Sequence, residues 1–160
     1  MKKLKRTMVE LIISLAIPLG IGFLSLLLIE ESISIYKDLV KPVFAPPNWI
    51  FGPIWTILYI LMGIASYQIW KARKSRIQIN NALFFYTIQL ILNFWWPVLF
   101  FRFQMRFLAF IEIILLLLFI ILTTRKFKRI DWVGAGLMIP YILWVVFAAV
   151  LNISLWILNR

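Results

Sequence analysis

The chain has 160 residues and is too apolar for an ordinary soluble domain. Hydrophobic residues make up 64% of it and charged residues only 14%, and the mean hydropathy is +0.97. It contains no cysteine and no histidine. Disulfides, thiolate chemistry and the commonest ligand of metals and haem iron are therefore excluded, and we expect neither a metal nor a cofactor.

Five long apolar runs divide the sequence. They cover residues 11–29, 42–70, 77–101, 107–124 and 132–159, and Glu112 alone interrupts the fourth. Each is close to the roughly 20 residues that a helix needs to cross a bilayer, and none alternates as a barrel strand does. The sequence predicts an all-α, five-transmembrane-helix bundle that forms one transmembrane domain over residues 1–160. The predicted helices span about residues 8–29, 48–70, 80–101, 107–124 and 132–158, with an outer loop at 30–47.

Basic residues alternate between the two sides of the predicted membrane. Four precede the first helix, the successive loops hold two, four, two and four, and one lies at the C-terminus. By the positive-inside rule this pattern places the N-terminus inside and the C-terminus outside. The net charge of +11 then reflects topology and contact with anionic membrane lipid. No nucleic-acid partner is expected, because no basic face forms outside the short loops.

A proline-rich stretch leads from the first loop into the second predicted helix. Its prolines are Pro42, Pro46, Pro47 and Pro53. Each fixes φ and removes a backbone donor, so residues 42–53 form a rigid connection. Long ordered loops are often functional, and this is the longest one in the chain. We expect it to act as a lid, with Trp55 where the lid meets the membrane helix.

Three predicted helices bring aromatic and amide side chains to one depth on the outer side. These residues are Trp55 and Tyr59 in the second helix, Asn93 and Trp96 in the third, and Trp144, Ala148 and Asn152 in the fifth. An unpaired amide is costly in hydrocarbon, so both asparagines should face inward. Such walls suit a large, flat, weakly polar ligand, and a metal-free macrocycle fits them best.

Several of these residues also have a purely structural interpretation. Tryptophans near helix ends are common interfacial anchors, which applies to Trp49, Trp70, Trp132 and Trp156. The two amides are equally suited to hold helices together. Glu112 is a functional candidate because it is an intramembrane acid. It lies about 9 Å along the helix from Arg106, so we expect it to reach toward Arg102 or Arg106 instead.

Three segments resemble the motifs of a known family. They are Lys41-Pro42-x-x-x-Pro46-Pro47-x-Trp49-x-Phe51-Gly52-Pro53-x-Trp55-Thr56-x-Leu58-Tyr59-x-x-Met62-Gly63, Gln89-Leu90-x-Leu92-Asn93-x-x-Trp96-Pro97-x-x-Phe100-Phe101, and Pro140-Tyr141-x-x-Trp144-x-x-Phe147-Ala148-x-x-Leu151-Asn152-x-x-x-Trp156. Together they resemble the tryptophan-rich sensory protein/translocator protein family. The resemblance covers nearly all of the second to fifth predicted helices. It departs at Ile153, where the cholesterol motif of animal members needs a tyrosine, so sterol recognition there is not expected.

The resemblance implies a five-helix protein of the cell membrane, often homodimeric, that binds porphyrins such as protoporphyrin IX. Some bacterial members degrade porphyrin with light and oxygen, and Trp55 and Trp144 would match the tryptophans linked with that reaction. The expected ligand contacts are Pro47, Trp49, Phe51, Trp55, Tyr59, Asn93, Trp96, Tyr141, Trp144, Phe147, Ala148, Leu151 and Asn152. The leading hypothesis is a tetrapyrrole-binding protein in porphyrin sensing, transport or clearance. The alternatives are a porphyrin-degrading enzyme and a non-catalytic scaffold or regulatory subunit.

Overall fold

A computed structural model describes residues 2–160, with side chains described from residue 7 onward. The N-terminal cations Lys2, Lys3, Lys5 and Arg6, which the topology prediction uses, lie outside the described side chains. Within the described residues, the regular structure is helical throughout and contains no strand. Five helical segments of this described part are long and apolar enough to span a membrane. The predicted all-α fold of five membrane helices is confirmed, and the protein is a multi-pass membrane protein.

The helices are α1 (Lys2–Ile29), α2 (Ile35–Asp38), α3 (Asn48–Trp70), α4 (Arg76–Pro97), α5 (Arg106–Ile130), α6 (Trp132–Gly136) and α7 (Ile139–Leu158). A 3₁₀ turn at Glu30–Ser32 follows α1, and a π-helical turn at Val98–Arg102 extends α4. The short α2 lies within the predicted lid, which is therefore partly helical. We call residues 30–47 loop 1.

Three predicted helix ends were wrong by a turn or more, and one of them is the start of the first helix, which lies at Lys2 instead of residue 8. The third membrane helix begins at Arg76 instead of residue 80, because Ser75 caps it. The Ser75 hydroxyl oxygen accepts a hydrogen bond from the backbone N–H of Gln78 at 3.3 Å. The fourth ends at Ile130 instead of residue 124. Its last turn carries Lys128 and Arg129, and cations at this position interact favourably with the helix dipole. The run of basic residues after residue 124 therefore belongs to the helix and does not mark its end.

The fifth predicted helix is interrupted. It consists of α6 and α7, which are separated at Leu137 and Met138. Pro140 lies in the first turn of α7 and has no N–H to donate to the carbonyl of Gly136, four residues earlier. The hydrogen-bond ladder breaks at that point. The predicted range of 132–158 thus covers two helices that together form one candidate membrane span.

Small residues allow the helices to approach closely. A Cβ added at Gly63 of α3 would lie 2.8 Å from the Leu15 Cα and 2.8 Å from the Ser14 carbonyl oxygen, both in α1. A Cβ added at Gly134 of α6 would lie 3.2 Å from the Ala65 carbonyl oxygen of α3. In lipid, helices associate through such close packing because apolar burial from water no longer drives them together. The outer faces of the bundle are correspondingly rich in exposed apolar side chains.

Loop 1 is braced by a hydrogen bond within it and is held to the bundle at the end of α7. The Tyr36 hydroxyl donates to the Pro46 carbonyl at 3.1 Å, and the ring is 3% exposed. Burial raises the pKa of Tyr36 above its ordinary value of 10.0, so its hydroxyl stays a neutral donor. At the end of α7, the Asn159 amide accepts from the Val40 N–H and donates to the Val40 carbonyl, both at 2.9 Å. These contacts fold loop 1 over one end of the bundle.

Candidate functional site

A cavity of about 530 Å³ lies beneath loop 1, between α1, α3 and α4. Its lining consists of Leu19, Gly22, Phe23, Ser25, Leu26, Ile29, Ile33, Tyr36, Asn48, Trp49, Phe51, Gly52, Trp55, Thr56, Tyr59, Asn93, Trp96, Pro97 and Phe101. Loop 1 contributes Ile33 and Tyr36 to this lining, whereas its prolines Pro42, Pro46 and Pro47 are outside it. None of the described residues that line the cavity is charged. Such a space suits the uncharged, apolar body of a ligand.

Trp55 lies at the centre of the aromatic wall. Its ring centroid is 5.7 Å from that of Tyr59, 6.3 Å from Trp96 and 6.2 Å from Tyr141. These distances are typical of interacting aromatic pairs. Trp55 and Tyr59 lie one turn apart on α3 and stack nearly parallel, with 29° between their planes. The wall therefore presents a rigid aromatic surface to whatever occupies the cavity.

A chain of hydrogen bonds runs from the cavity wall into the core. The Tyr59 hydroxyl donates to Asn93 Oδ1 at 2.7 Å, and Asn93 Nδ2 donates to the Tyr141 hydroxyl at 2.7 Å. Tyr141 in turn donates to Gln89 Oε1 at 2.9 Å. The chain joins α3, α4 and α7 and satisfies polar groups that would be costly in an apolar interior. Asn93 thus lines the cavity and holds helices together at once.

The second predicted amide has a different role. Asn152 Oδ1 accepts from Trp96 Nε1 at 3.0 Å, and Asn152 Nδ2 donates to the Arg106 carbonyl at 2.8 Å. Asn152 does not line the cavity. It connects α7 to α4 and α5 and orients the indole of Trp96, which does line it. These contacts match the structural interpretation, in which Asn152 holds helices together.

Helix α1 supplies a wall that the sequence did not indicate. Ser14, Pro18, Ser25 and Ile29 are its buried residues, and they share one face with Gly22. A Cβ added at Gly22 would lie 2.2 Å from the Tyr59 ring. The glycine therefore leaves room for Tyr59 to reach Asn93. Such residues in an apolar run have no chemical signature, so only the packing of α1 against α3 reveals their role.

The cavity opens sideways between α1 and α3. Phe23 is 59% exposed and Trp49 is 73% exposed, yet both belong to the lining. They lie on facing helices at the end that loop 1 covers. A ligand that reaches the cavity from the membrane would pass between them. Trp49 therefore lies near a helix end, where an interfacial anchor is expected, and also lines the cavity.

The chain is similar in sequence to one known protein family and to several of its members. A model of the TspO/MBR family matches residues 14–157. The chain belongs to the TspO/MBR family. It is 39% identical over 124 residues to the tryptophan-rich protein TspO of Chlorobaculum tepidum, covering 78% of each chain. It is 37% identical to the TspO of Archaeoglobus fulgidus, covering 94% of this chain and 97% of that one. The human translocator protein is 33% identical, with 79% of this chain and 75% of that protein covered.

The structure brings part of the predicted ligand set of this TspO/MBR protein together. Trp49, Phe51, Trp55, Tyr59, Asn93 and Trp96 line the cavity. Pro47 immediately precedes α3 and lies next to this lining. Tyr141, Trp144, Phe147, Ala148, Leu151 and Asn152 are outside it. The expectation that α7 would form a wall at the same depth is thus not met by this cavity, whose third wall is α1.

The α7 residues are occupied by packing. Tyr141, Ala148 and Leu151 are buried in the core. The Trp144 ring lies 5.9 Å from Phe51 and 5.3 Å from Phe147, and Phe147 lies 6.2 Å from Phe44 of loop 1. Trp144 also borders a shallower apolar groove on the other side of α3, with Ile54, Ile57, Leu58, Leu61, Pro140 and Leu143. Trp55 and Trp144 therefore face different spaces, and Phe51 stands between them.

Glu112 does not behave as the sequence predicted. Neither of its carboxylate oxygens has a hydrogen-bond partner among the described residues, and both are buried. Arg102 donates instead to the Leu28 carbonyl of α1 at 2.9 Å, and Arg106 leaves its Nε without a partner. The expected pairing with either arginine is wrong, because Arg102 is bonded to α1 and neither Glu112 oxygen has a partner among the described residues. The described residues also contain no group of three or more acids, histidines or cysteines that could hold a metal.

Proposed function

We propose that this TspO/MBR protein binds a tetrapyrrole such as protoporphyrin IX in the cavity beneath loop 1. The observation that carries the proposal is the uncharged cavity of about 530 Å³ with Trp55 at the centre of its aromatic wall. Ligand pockets commonly enclose roughly 300–1,000 Å³ and are mostly apolar with a few polar groups. Flat aromatic ligands are held on indole and phenol faces by stacking and by burial of apolar surface.

The proposed role is porphyrin sensing, transport or clearance in the cell membrane. The side opening between α1 and α3 supports it, because an apolar macrocycle dissolved in the bilayer could enter there without crossing water. Some family relatives carry names that refer to translocation or to sensing. Homodimer formation and location in the cell membrane are parts of the same proposal, and they rest on the family resemblance alone.

A fluorescence titration tests the proposal. Purified protein in detergent is titrated with protoporphyrin IX, and saturable quenching of tryptophan emission is expected. Replacing Trp55 with alanine should weaken binding about tenfold, because stacking of one aromatic ring contributes roughly 1 kcal/mol beyond the area it buries. The matched control is Trp95→Ala, since Trp95 is 46% exposed and outside the lining. Absence of saturable binding would favour the scaffold hypothesis, and equal affinities of both variants would place the ligand elsewhere.

Light-driven breakdown of the bound porphyrin is a second candidate function. The contacts of Trp55 with Tyr59, Trp96 and Tyr141 favour it, because a cluster of oxidisable rings at the cavity wall can supply electrons to an excited ligand. Dioxygen would be the terminal oxidant. The test is the loss of porphyrin absorbance under light in air and under argon, compared between wild type and Trp55→Phe. Equal rates in the two proteins would rule out a role for this indole, and equal rates in the two atmospheres would rule out dioxygen.

A further inference from the structure

Basic side chains gather at the end of the bundle opposite loop 1, where α3 and α5 end and α4 begins. Among the residues whose side chains are described, eight cations lie at this end, namely Lys71, Arg73, Lys74, Arg76, Arg125, Lys126, Lys128 and Arg129. The acids there are Glu10 and Asp131, and Asp131 Oδ1 already accepts from the Gly134 N–H at 2.6 Å. This end therefore carries a large excess of positive charge, which attracts anionic groups.

One of these cations, Lys126 of α5, is held in a defined position against α4. Its Nζ donates to Asn81 Oδ1 at 2.5 Å and lies 4.3 Å from the centroid of the Phe85 ring. Both partners are uncharged, so they orient the ammonium group without cancelling its charge. An ammonium group has three N–H donors, and the Asn81 oxygen takes one of them. Since Lys126 is only half-buried, an anion can reach the same group from outside.

The surface next to Lys126 is apolar and faces the lipid. Phe85 packs on Phe119 of α5 with ring centroids 5.9 Å apart, and the neighbouring Phe84 is 61% exposed. We call the surface formed by Asn81, Phe84, Phe85, Phe119 and Lys126 the α4–α5 seam. Lys126 lies four residues before the last residue of α5, about 6 Å along the axis, where a lysine side chain can extend to the lipid headgroups. Phe119 lies about 10 Å deeper along the same helix.

We propose that the α4–α5 seam binds an anionic phospholipid, with its phosphate at Lys126 and its acyl chains along Phe84 and Phe85. Arg129 lies one turn after Lys126, is exposed, and supplies a second cation to the headgroup. The count of basic residues predicts contact with anionic lipid in general but gives it no position. The contacts of Lys126 with Asn81 and Phe85 give it one, at the end of the bundle away from the cavity beneath loop 1.

The charge of this end favours an anionic headgroup over a zwitterionic one. A phosphatidylcholine headgroup would bring a quaternary ammonium close to Arg129 and the other cations, and like charges repel. A phosphatidylglycerol headgroup carries the same phosphate without that cation. Each Lys or Arg near a membrane surface strengthens the attraction of anionic lipid. The preference between these two lipids is therefore the quantity to measure.

Native mass spectrometry of the whole protein in detergent measures this preference. The protein is titrated with phosphatidylglycerol and with phosphatidylcholine of identical acyl chains, and tighter binding of phosphatidylglycerol is expected. Lys126→Gln should weaken phosphatidylglycerol binding about fivefold and leave phosphatidylcholine unchanged, because one cation at the headgroup is lost. Lys126→Arg keeps the charge and should keep the preference. Lys74→Gln is the matched control, since it removes the same charge from an exposed residue at the same end but outside the seam.

Four results would overturn the proposal. Equal losses in Lys126→Gln and Lys74→Gln would show that diffuse charge attracts the lipid, and equal affinities of the two lipids would show that only apolar contact matters. Displacement of phosphatidylglycerol by an equal concentration of inorganic phosphate would show a site for free phosphate. A lipid-free dimer that takes up no phosphatidylglycerol would show that a second copy of the chain covers the seam.

A second variant keeps the test decisive if Lys126→Gln does not fold, which thermal unfolding in detergent would reveal. Asn81→Leu leaves Lys126 in place but removes the oxygen that positions its Nζ. The preference for phosphatidylglycerol should then fall while the net charge stays the same. An unchanged preference in Asn81→Leu would contradict a site built on the Lys126–Asn81 contact.

Discussion

Replacing Gly22 with alanine should destabilise the protein by displacing Tyr59. The new Cβ would lie 2.2 Å from Tyr59 Cε2 and 2.7 Å from Cδ2 and Cζ. Carbon atoms in contact are about 3.5–4.0 Å apart, so the ring must move by about 1.3 Å or more. The hydroxyl would then leave Asn93 Oδ1, to which it now donates at 2.7 Å. The substitution therefore couples a steric clash to the loss of a buried hydrogen bond.

The magnitude follows from these two effects. Losing a buried hydrogen bond costs about 1–3 kcal/mol, and overpacking costs about another 1–3 kcal/mol. The higher helix propensity of alanine offsets about 1 kcal/mol. The net loss in unfolding free energy should be about 3 kcal/mol, which lowers the Tm by roughly 6–12 °C for a chain of this size. Circular dichroism during heating in detergent measures it.

Gly20→Ala is the matched control. It lies on the same helix, and a Cβ added at Gly20 would meet nothing within 4 Å. Its Tm should stay constant or rise slightly. In a Tyr59→Ala background, Gly22→Ala should cost nothing further, because the ring that obstructs the new methyl is gone. Equal Tm values for the two glycine variants, or an undiminished penalty in the Tyr59→Ala background, would refute the reasoning.

Two further predictions concern the rest of the bundle. Glu112→Leu should raise the Tm by a few degrees, since an unpaired buried carboxylate is replaced by an apolar side chain of similar volume; a fall in Tm measured by the same heating experiment would show that Glu112 has a stabilising partner. Asn159→Ala should remove both hydrogen bonds to Val40, each worth about 0.5–1.5 kcal/mol. Hydrogen–deuterium exchange of peptides from loop 1 should then accelerate, because the loop opens locally while the bundle stays folded, and unchanged exchange would mean that loop 1 is held elsewhere.

The helix ends show how far local sequence patterns reach. The long apolar runs predicted all five membrane helices, because the bilayer demands a minimum length of apolar helix. The predicted ends failed where a local feature outweighed hydropathy. Ser75 begins α4 one turn early, and the basic residues before Ile130 continue α5 instead of ending it. The first is a hydrogen bond between one side chain and the backbone, and the second is an interaction of charge with the helix dipole. Hydropathy averaged over a window detects neither.

The candidate site was likewise predicted in part. Trp55, Asn93 and Trp96 were predicted because depth follows from position along a helix of predicted direction, and the structure places all three at the cavity. The predicted role of α7 in that cavity did not follow, because depth does not specify which helices are neighbours or how each is rotated. Tyr141 is bonded to Asn93, which lines the cavity, but is itself fully buried and outside the lining.

The sequence by itself determined the membrane-spanning class, the number of spans, the family and the aromatic and amide residues of α3 and α4. These depend on apolar length and on ordered motifs, which are properties of the chain alone. Only the tertiary structure decided that α1 forms the third wall, that Gly22 makes room for Tyr59 and that Glu112 has no partner among the described residues. Each of these depends on contacts between side chains far apart in the sequence, and such contacts form only when the helices pack.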